Sequence, residues 1–191
     1  IEASINASKL PDKSIWLTFD DGFKDHIDFV LPELKKRGLQ GTFFPVEKPT
    51  RKKQYLDVHA IHFILESAES SDSLINSLRT RCLEHGMSEL RFKELWDDVD
   101  KSSPYDSQSV IFFKRILQRE LPLEIRGLIV RSLFQEFVNK SESEFCEELY
   151  MTENDLRKLL SEGMFIGSHT SNHFWLDSMD LKGQRLEISK S

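Results

Sequence analysis

The sequence of 191 residues lacks the features that mark several common classes of protein. Its two cysteines, Cys82 and Cys146, lie far apart and form no CxxC pair, so we predict two free buried thiols rather than a disulfide or a metal pair. No apolar run approaches the length of a membrane-spanning helix, so no integral membrane segment is expected. No segment repeats at a fixed period, which argues against a solenoid.

Positive charge is also scarce. The 26 lysines and arginines are outnumbered by 32 acidic residues, which leaves a formal net charge of −6. This balance is not typical of proteins that bind nucleic acid or anionic membranes, so neither partner is expected. No signal-peptide pattern opens the chain, and a cytoplasmic location is therefore favoured. Because the first residue is Ile1 rather than methionine, a removed segment and an extracellular or envelope location stay open.

Two short runs of β-branched and aromatic residues flank a helical pattern in the first quarter of the chain. Residues 15–19 and 40–45 predict strands, and residues 1–12 predict a lead-in loop. Between the strands, apolar residues at helical spacing end at a basic cluster and Gly38, which is typical of a helix C-terminus. A strand, a helix and a second strand in this order favour parallel pairing and an α/β fold.

Residues 17–23 (LTFDDGF) place two adjacent carboxylates, Asp20 and Asp21, after the first apolar run. Neighbouring residues of a strand point to opposite faces, but a turn at its end can bring both acids to one rim of the sheet. Two carboxylates held together repel unless a cation or a proton separates their roles. The alternative is an acidic turn in which Asp and Gly serve only the backbone conformation.

A second apolar run ends in two histidines near the C-terminus. Residues 164–173 (MFIGSHTSNH) contain His169 and His173, four positions apart. Neutral imidazoles with a carboxylate are the ligand set of catalytic zinc sites that keep one position open for water. A lone histidine is more often a surface or core residue, but two at this spacing after a strand make a metal site a stronger hypothesis. The hydroxyls of Thr170 and Ser171 could orient a histidine, bind a small anion or satisfy the backbone of the loop.

The two polar stretches together resemble the polysaccharide deacetylase family, the NodB-homology domain. TFDDG at residues 18–22 matches the family's first motif, and HTSNH at residues 169–173 matches the second. Between them, residues 41–44 (GTFF) resemble the family's second core strand. The resemblance implies a (β/α) barrel, which in this chain would be partial or distorted, within a single domain over residues 1–191.

The resemblance also implies the roles of the site residues. Asp21, His169 and His173 would hold one divalent cation, and Asp20 would act as the general base. Zinc suits two imidazoles and one carboxylate, and cobalt or nickel would fit the same set. The implied reaction is hydrolysis of an N-acetyl group on a carbohydrate, either a polysaccharide or a glycan precursor. No substrate-binding residue is assigned.

The middle of the chain departs from the family. Residues 48–53 (KPTRKK) predict a solvated basic loop, with contact to a phosphate or glycan as the less favoured interpretation. Residues 56–138 have a helical pattern nearly throughout, with breaks at residues 102–104 and at Pro122. The usual family member has a much shorter connection here, so we interpret residues 46–149 as an α-helical insertion.

Three further histidines are predicted to be ordinary residues. His26 lies near the acidic stretch, but one titratable side chain without a visible partner favours a surface position. His59 and His62 lie one turn apart in the first helix of the proposed insertion, where a second metal site is the less favoured interpretation.

Three functions are compatible with the sequence. The first is a metal-dependent carbohydrate deacetylase of cell-surface glycan biosynthesis. The family's later motifs supply an arginine, aromatic groups and a histidine that acts as general acid, and this chain ends before them. A fragment, a truncated gene product or a protein completed by another chain is therefore expected. The second function is therefore a non-catalytic partial fold whose helical insertion mediates homo-oligomerisation or partner binding. The third is a related hydrolase that removes an acetyl ester.

Overall fold

The computed structural model describes residues 12–99 and 104–191. The chain divides into two compact units. The first combines the described residues up to Gln54 with Cys146–Ser191, and the second is Tyr55–Phe145. The predicted lead-in loop and the predicted break at residues 102–104 lie almost entirely outside the described residues.

Three short parallel strands form the sheet of the first unit, in the order β1-β2-β3. Their bounds are Thr18–Asp21 for β1, Thr42–Pro45 for β2 and Phe165–Ile166 for β3. The register of β1 and β2 runs from Thr18 opposite Thr42 to Asp21 opposite Pro45. The parallel sheet confirms the predicted α/β class and places the carboxyl ends of all three strands at one edge.

The first strand begins three residues later than predicted. Ile15 and Trp16, which the prediction placed in the first strand, are 84% and 66% exposed. β1 lies at an edge of the sheet, and the strand consists of the residues that pair with β2. The sequence pattern marks the apolar run but not the point where its partner begins, because strand preference depends on context.

The core of the first unit packs against one face of the sheet. Phe43 is fully buried and stacks on Phe19, with the ring centroids 4.8 Å apart. The other buried apolar side chains of this core are Ile27, Leu31, Leu34, Met151, Leu159 and Met164. Complete burial of one such side chain contributes roughly 1.5–3 kcal/mol, so this small cluster holds the strands and the flanking helices together.

Two helical segments flank β2. A π-helical turn, His26–Val30, continues into helix α1, Leu31–Lys36, and Pro32, which has no N–H to donate, lies next to the junction of the two segments. The chain leaves α1 at Gly38, with φ 63°, as predicted. After β2, the predicted basic loop is wrong, because helix α2 (Glu47–Lys52) occupies it. The acidic first residue and basic last turn of α2 suit the helix dipole.

The second unit is helical, as the sequence pattern predicts. Its elements are α3 (Asp57–Ser67), α4 (Ser71–Glu84), α5 (Glu89–Asp97), α6 (Gln108–Arg115), a π-helical turn (Ile116–Glu120) and α7 (Leu123–Phe137). Helix α7 packs against α3 and α4. Part of this core is an aromatic cluster in which the ring of Phe134 lies 4.7 Å from Tyr55 and 4.9 Å from Phe145.

The remaining elements are α8 (Glu142–Leu149), α9 (Glu153–Ser161), a 3-10 turn (Leu176–Ser178) and α10 (Leu181–Ser189). Helix α9 begins with a capping box. Thr152 Oγ1 accepts from the backbone N–H of Asp155 at 3.3 Å, and Asp155 Oδ2 accepts from the backbone N–H of Thr152 at 2.8 Å. This helix precedes β3 and leads the chain back into the sheet.

The fold is thus mixed α/β with a small parallel sheet, which is compatible with the deacetylase fold. A closed barrel is not seen among the described residues, and it stays a prediction together with the bounds of the insertion. Both cysteines are buried and neither forms a disulfide, as predicted. Among the helices of the described residues, none has both the length and the apolar character needed to cross a bilayer.

Candidate metal centre

The carboxyl ends of β1 and β3 bring three of the predicted site residues together. Asp21 Oδ1 lies 3.4 Å from Nε2 of His169 and 3.4 Å from Nε2 of His173. The two Nε2 atoms lie 3.1 Å apart. All three side chains are half-buried, and Asp21 Oδ1 itself is shielded from solvent. Three potential ligand atoms from distant parts of the sequence therefore converge on one point.

The spacing of these atoms fits a divalent cation. A tetrahedral zinc ion with bonds of about 2.1 Å separates its ligand atoms by about 3.4 Å. The distances between the three donors are 3.1–3.4 Å, which is close to this spacing. Two imidazole nitrogens and one carboxylate oxygen suit zinc, cobalt or nickel, and a set of three leaves one position for water.

Two successive left-handed residues end β1 at the site. Asp21 has φ 68° and Gly22 has φ 74°. A Cβ atom at Gly22 would lie 3.0 Å from Cβ of Pro45, so both the conformation and the close approach to β2 require glycine. A left-handed conformation is uncommon for a residue with a side chain. At Asp21, the predicted ligand, it interrupts the alternation of side chains between the two faces of the strand.

The histidine loop, residues 169–173, follows a close approach between β3 and β2. Gly167 N donates to Phe43 O at 2.8 Å, which continues the pairing one residue beyond β3. Within the loop, Thr170 has φ 67° and His173 has φ 61°. Thr170 Oγ1 accepts from the backbone N–H of His173 at 3.0 Å, so this hydroxyl satisfies the loop backbone. The tight turn brings the two imidazoles to the same point.

Two acidic residues that the sequence analysis missed contact the histidine loop. Ser171 Oγ donates to Glu47 Oε2 at 2.5 Å, and Asn172 N donates to Glu187 Oε2 at 2.8 Å. Glu187 is only 5% exposed, although it is charged. The neighbouring residues gave no signal of this burial, because Leu186 and Ile188 are themselves 50% and 58% exposed. No spacing rule connects Glu47 or Glu187 to the histidines.

Glu47 is held in its charged form. Burial alone would raise the pKa of its carboxyl group, but hydrogen bonds from Ser171 and Lys52, with the charges of Lys52 and Arg51, outweigh burial and lower the pKa. Lys52 Nζ lies 2.9 Å from Glu47 Oε2. An ionised carboxylate therefore accepts the hydrogen bond from the loop.

The other cations near α2 also contact acidic side chains. Arg51 Nε lies 3.1 Å from Glu153 Oε1, and Lys53 Nζ lies 3.2 Å from Glu147 Oε1. These pairs are well exposed, so each contributes little to stability. They favour a solvated surface over a basic patch for a phosphate or a glycan.

Asp20 is the exposed neighbour of Asp21 in β1. In the register of the sheet it lies opposite Phe44. It is not one of the three converging donors, and its role as a general base stays a prediction.

The prediction that His26 lies on the surface is wrong. This side chain is 8% exposed and is surrounded by three aromatic rings. These rings are those of Phe19, Phe23 and Phe43. Its Nδ1 atom is buried and has no hydrogen-bond partner among the described residues. Burial lowers the pKa of His26, and nearby carboxylates, that of Asp21 foremost, partly oppose this effect. The position one turn before Val30, on the apolar side of the helical pattern, was the signal for burial.

The histidine pair of α3 does not resemble a metal site. His59 is 8% exposed, whereas His62 is exposed. Within the described ranges, neither belongs to a group of three or more potential metal ligands.

The sequence was compared with known proteins. Residues 7–88 match a family model described as polysaccharide deacetylase. The match contains β1 and β2 with the TFDDG motif, covers less than half of the chain and ends before the histidine loop. It supports a NodB-homology domain in the N-terminal part of the chain, as the motifs implied. No curated protein and no solved structure matches the chain.

Proposed function

We propose that the chain carries the metal site of a carbohydrate deacetylase, which hydrolyses N-acetyl groups on a polysaccharide or a glycan precursor. The supporting observation is the convergence of Asp21 with His169 and His173. The aspartate lies inside the region that matches the deacetylase family, and the histidines lie outside it. A chance surface cluster would not be expected to join the two motifs whose pairing is typical of this family.

In this proposal Asp21, His169 and His173 hold one divalent cation, with zinc preferred and cobalt or nickel as substitutes. When bound, such a cation polarises the acetyl carbonyl and lowers the pKa of a water molecule toward neutrality. The shielded position of Asp21 Oδ1 between two imidazoles suits a ligand. A step in cell-surface glycan biosynthesis would supply the N-acetylated carbohydrate.

Asp20 is the proposed general base. Its carboxylate is exposed and does not belong to the donor set, so it is accessible to substrate and water. A carboxylate that is not neutralised by a cation keeps its capacity to accept a proton from the attacking water. In this proposal the two adjacent acids have different roles, since Asp21 would hold the cation and Asp20 would accept the proton of the attacking water.

The proposal includes a (β/α) barrel of the deacetylase type and a helical insertion at residues 46–149. In that arrangement, the three parallel strands would be part of the barrel wall. The helical residues would be the surface for homo-oligomerisation.

Acetate release tests the proposal. The chain is loaded with zinc and incubated with an N-acetylated chitooligosaccharide, and with a matched O-acetylated sugar to separate amide from ester hydrolysis. We expect zinc-dependent release from the amide, and a fall of about 10²- to 10⁴-fold in Asp20→Asn, the range that general bases contribute.

The matched control is Asp28→Asn, which removes another exposed carboxylate close in sequence and should leave the rate unchanged. Full zinc content with no acetate release from either substrate would overturn the catalytic proposal. That result would favour the non-catalytic partial fold. Self-association of the chain through its helical unit, measured by sedimentation, would support this alternative.

A further inference from the structure

Two of the three residues between the site histidines are held by acidic side chains from two different helices. Ser171 Oγ donates to Glu47 of α2, and Asn172 donates to Glu187 of α10 through both its backbone N–H and its side-chain amide. Ser171 N also donates to the backbone carbonyl of Glu187, at 3.1 Å. The centre of the histidine loop is therefore bound on two sides.

The conformation of the loop needs such support. Thr170 and His173 both have positive φ, which is unfavourable for residues with a side chain and persists where the surroundings enforce it. The backbone N–H groups of Ser171, Asn172 and His173 all donate hydrogen bonds, and the first two go to Glu187. Glu187 thus contacts the segment that lies between the two strained residues.

The other side of the loop is bound by the start of α2. Glu47 N donates to Thr170 O at 3.3 Å, and Lys48 N donates to Ser171 O at 2.8 Å. These two bonds come from backbone groups, whereas the contact between Glu47 and Ser171 depends on a side chain of α2. Glu187 differs, because its buried carboxylate receives two donors from Asn172.

We propose that Glu187 is a positioning residue, which holds the histidine loop so that Nε2 of His169 and Nε2 of His173 converge before a cation binds. This inference rests on the proposed metal site. Groups that orient metal ligands from outside the coordination sphere commonly change metal affinity by about 10- to 100-fold when they are removed. A loop that is free to relax its strained residues would separate the two imidazoles, and the cation would have to reassemble them.

The competing explanation is that Glu187 only helps α10 to pack. Asp180 supplies the matched control, because it is an acidic residue of the same helix and caps its N-terminus, where Asp180 Oδ1 accepts from Gly183 N at 2.7 Å. Asp180→Ala removes one negative charge and weakens α10. Among the described residues, the hydrogen bond given for Asp180 goes to Gly183 and not to the histidine loop.

The experiment is a Co²⁺ titration of the full chain, in which the visible absorption of cobalt reports both affinity and coordination geometry. We expect Glu187→Ala to weaken Co²⁺ binding by about 10- to 100-fold and to change the absorption bands. Glu187→Gln keeps an oxygen acceptor for Asn172 N, so its loss should be smaller, and it replaces the alanine variant if that variant does not fold. Asp180→Ala should bind Co²⁺ within a few-fold of the unmodified chain.

A second measurement separates this inference from the proposed function. Amide hydrogen exchange in the metal-free chain should show that Ser171, Asn172 and His173 lose protection in Glu187→Ala and keep it in Asp180→Ala. Equal Co²⁺ affinity in the unmodified chain and Glu187→Ala, or equal losses in Glu187→Ala and Asp180→Ala, would overturn the positioning role. If the unmodified chain binds no Co²⁺, the proposed metal site fails, and the exchange data alone decide whether Glu187 holds the loop.

Discussion

Nε2 of His169 and Nε2 of His173 lie 3.1 Å apart, and both lie 3.4 Å from Asp21 Oδ1. Two N–H groups cannot point at each other at this distance, so at least one of the two nitrogens is an acceptor. A divalent cation at the centre would let both nitrogens and the carboxylate oxygen act as electron-pair donors. The distances therefore fit three donors around one cation as well as a hydrogen bond between the two imidazoles.

The first prediction concerns metal content. The chain should retain about one zinc ion after dialysis, and His169→Ala should retain none, because two remaining ligands rarely hold zinc against dialysis. Elemental analysis of the dialysed proteins measures this directly. His62→Ala is the control, since it removes an exposed histidine that belongs to no group of three potential ligands in the described ranges. Equal zinc in His169→Ala and in the control would contradict the site.

The second prediction concerns the close approach that precedes the histidine loop. A Cβ atom at Gly167 would lie 2.3 Å from Cε1 and 2.5 Å from Cδ1 of Phe44. Gly167→Ala must therefore displace this ring, which also packs edge-on against Trp16. Overpacking of this kind costs about 1–3 kcal/mol, which calorimetry can measure as a lower unfolding temperature of the first unit.

Two further variants make the test of Gly167 specific. Phe44→Leu combined with Gly167→Ala should recover part of the loss, since neighbouring substitutions are not additive. Gly127→Ala is the control, because its Cβ would meet only the flexible end of Arg131 within α7. Alanine in a helix interior gains up to about 1 kcal/mol over glycine, so Gly127→Ala should not lower stability. A normal unfolding temperature for Gly167→Ala would show that the ring moves freely.

The sequence predicts those parts of the site that depend on local pattern. The three converging residues were predicted from two short motifs. The hydrogen bonds that hold the histidine loop were not predicted, because Glu47 and Glu187 are brought to the loop only by the fold. The start of β1 was misplaced for the same reason, since pairing with β2 decides where the strand begins.

The short basic segment shows how local signals compete. Pro49 and the run of cations suggested a loop, but proline is tolerated in the first turn of a helix. The signal in favour of α2 was the acidic Glu47 before the basic residues, which follows the helix dipole.

The third prediction concerns pH and the buried His26. Burial lowers the pKa of this imidazole in the folded chain below its ordinary value of 6.5, so the unfolded chain binds the proton first as the pH falls. The contribution of neutral His26 to the free energy of unfolding is therefore fully present above pH 6.5. It is lost as the pH drops from 6.5 through the lowered pKa of His26. His26→Leu keeps an apolar side chain of similar size and removes this proton.

Urea unfolding of the metal-free chain at several pH values measures the difference. The free energy of unfolding of the unmodified chain should fall more steeply below pH 6.5 than that of His26→Leu. The other titrating groups are common to both proteins, so their contributions cancel in the comparison. Parallel pH dependence of the two proteins would show that His26 accepts a proton in the folded state without cost.

The fourth prediction separates the two adjacent acids. Asp21 Oδ1 is shielded and lies 3.4 Å from both imidazole nitrogens, whereas Asp20 is exposed and lies opposite Phe44 in the sheet register. Asp21→Asn replaces an anionic ligand by a neutral one, and zinc prefers the carboxylate. We expect Asp21→Asn to lose zinc at concentrations that saturate the unmodified chain, and Asp20→Asn to keep it.

Competition with a chromophoric chelator measures both zinc affinities under the same conditions. Each variant removes one negative charge from neighbouring positions, so each is the control for the general electrostatic effect of the other. A loss confined to Asp21→Asn assigns the ligand by contact rather than by net charge. Equal losses in both variants would mean that only the summed charge at the end of β1 attracts the cation. Asp20 would then no longer be available as a separate base, because a carboxylate that shares the cation cannot also accept the proton of the attacking water.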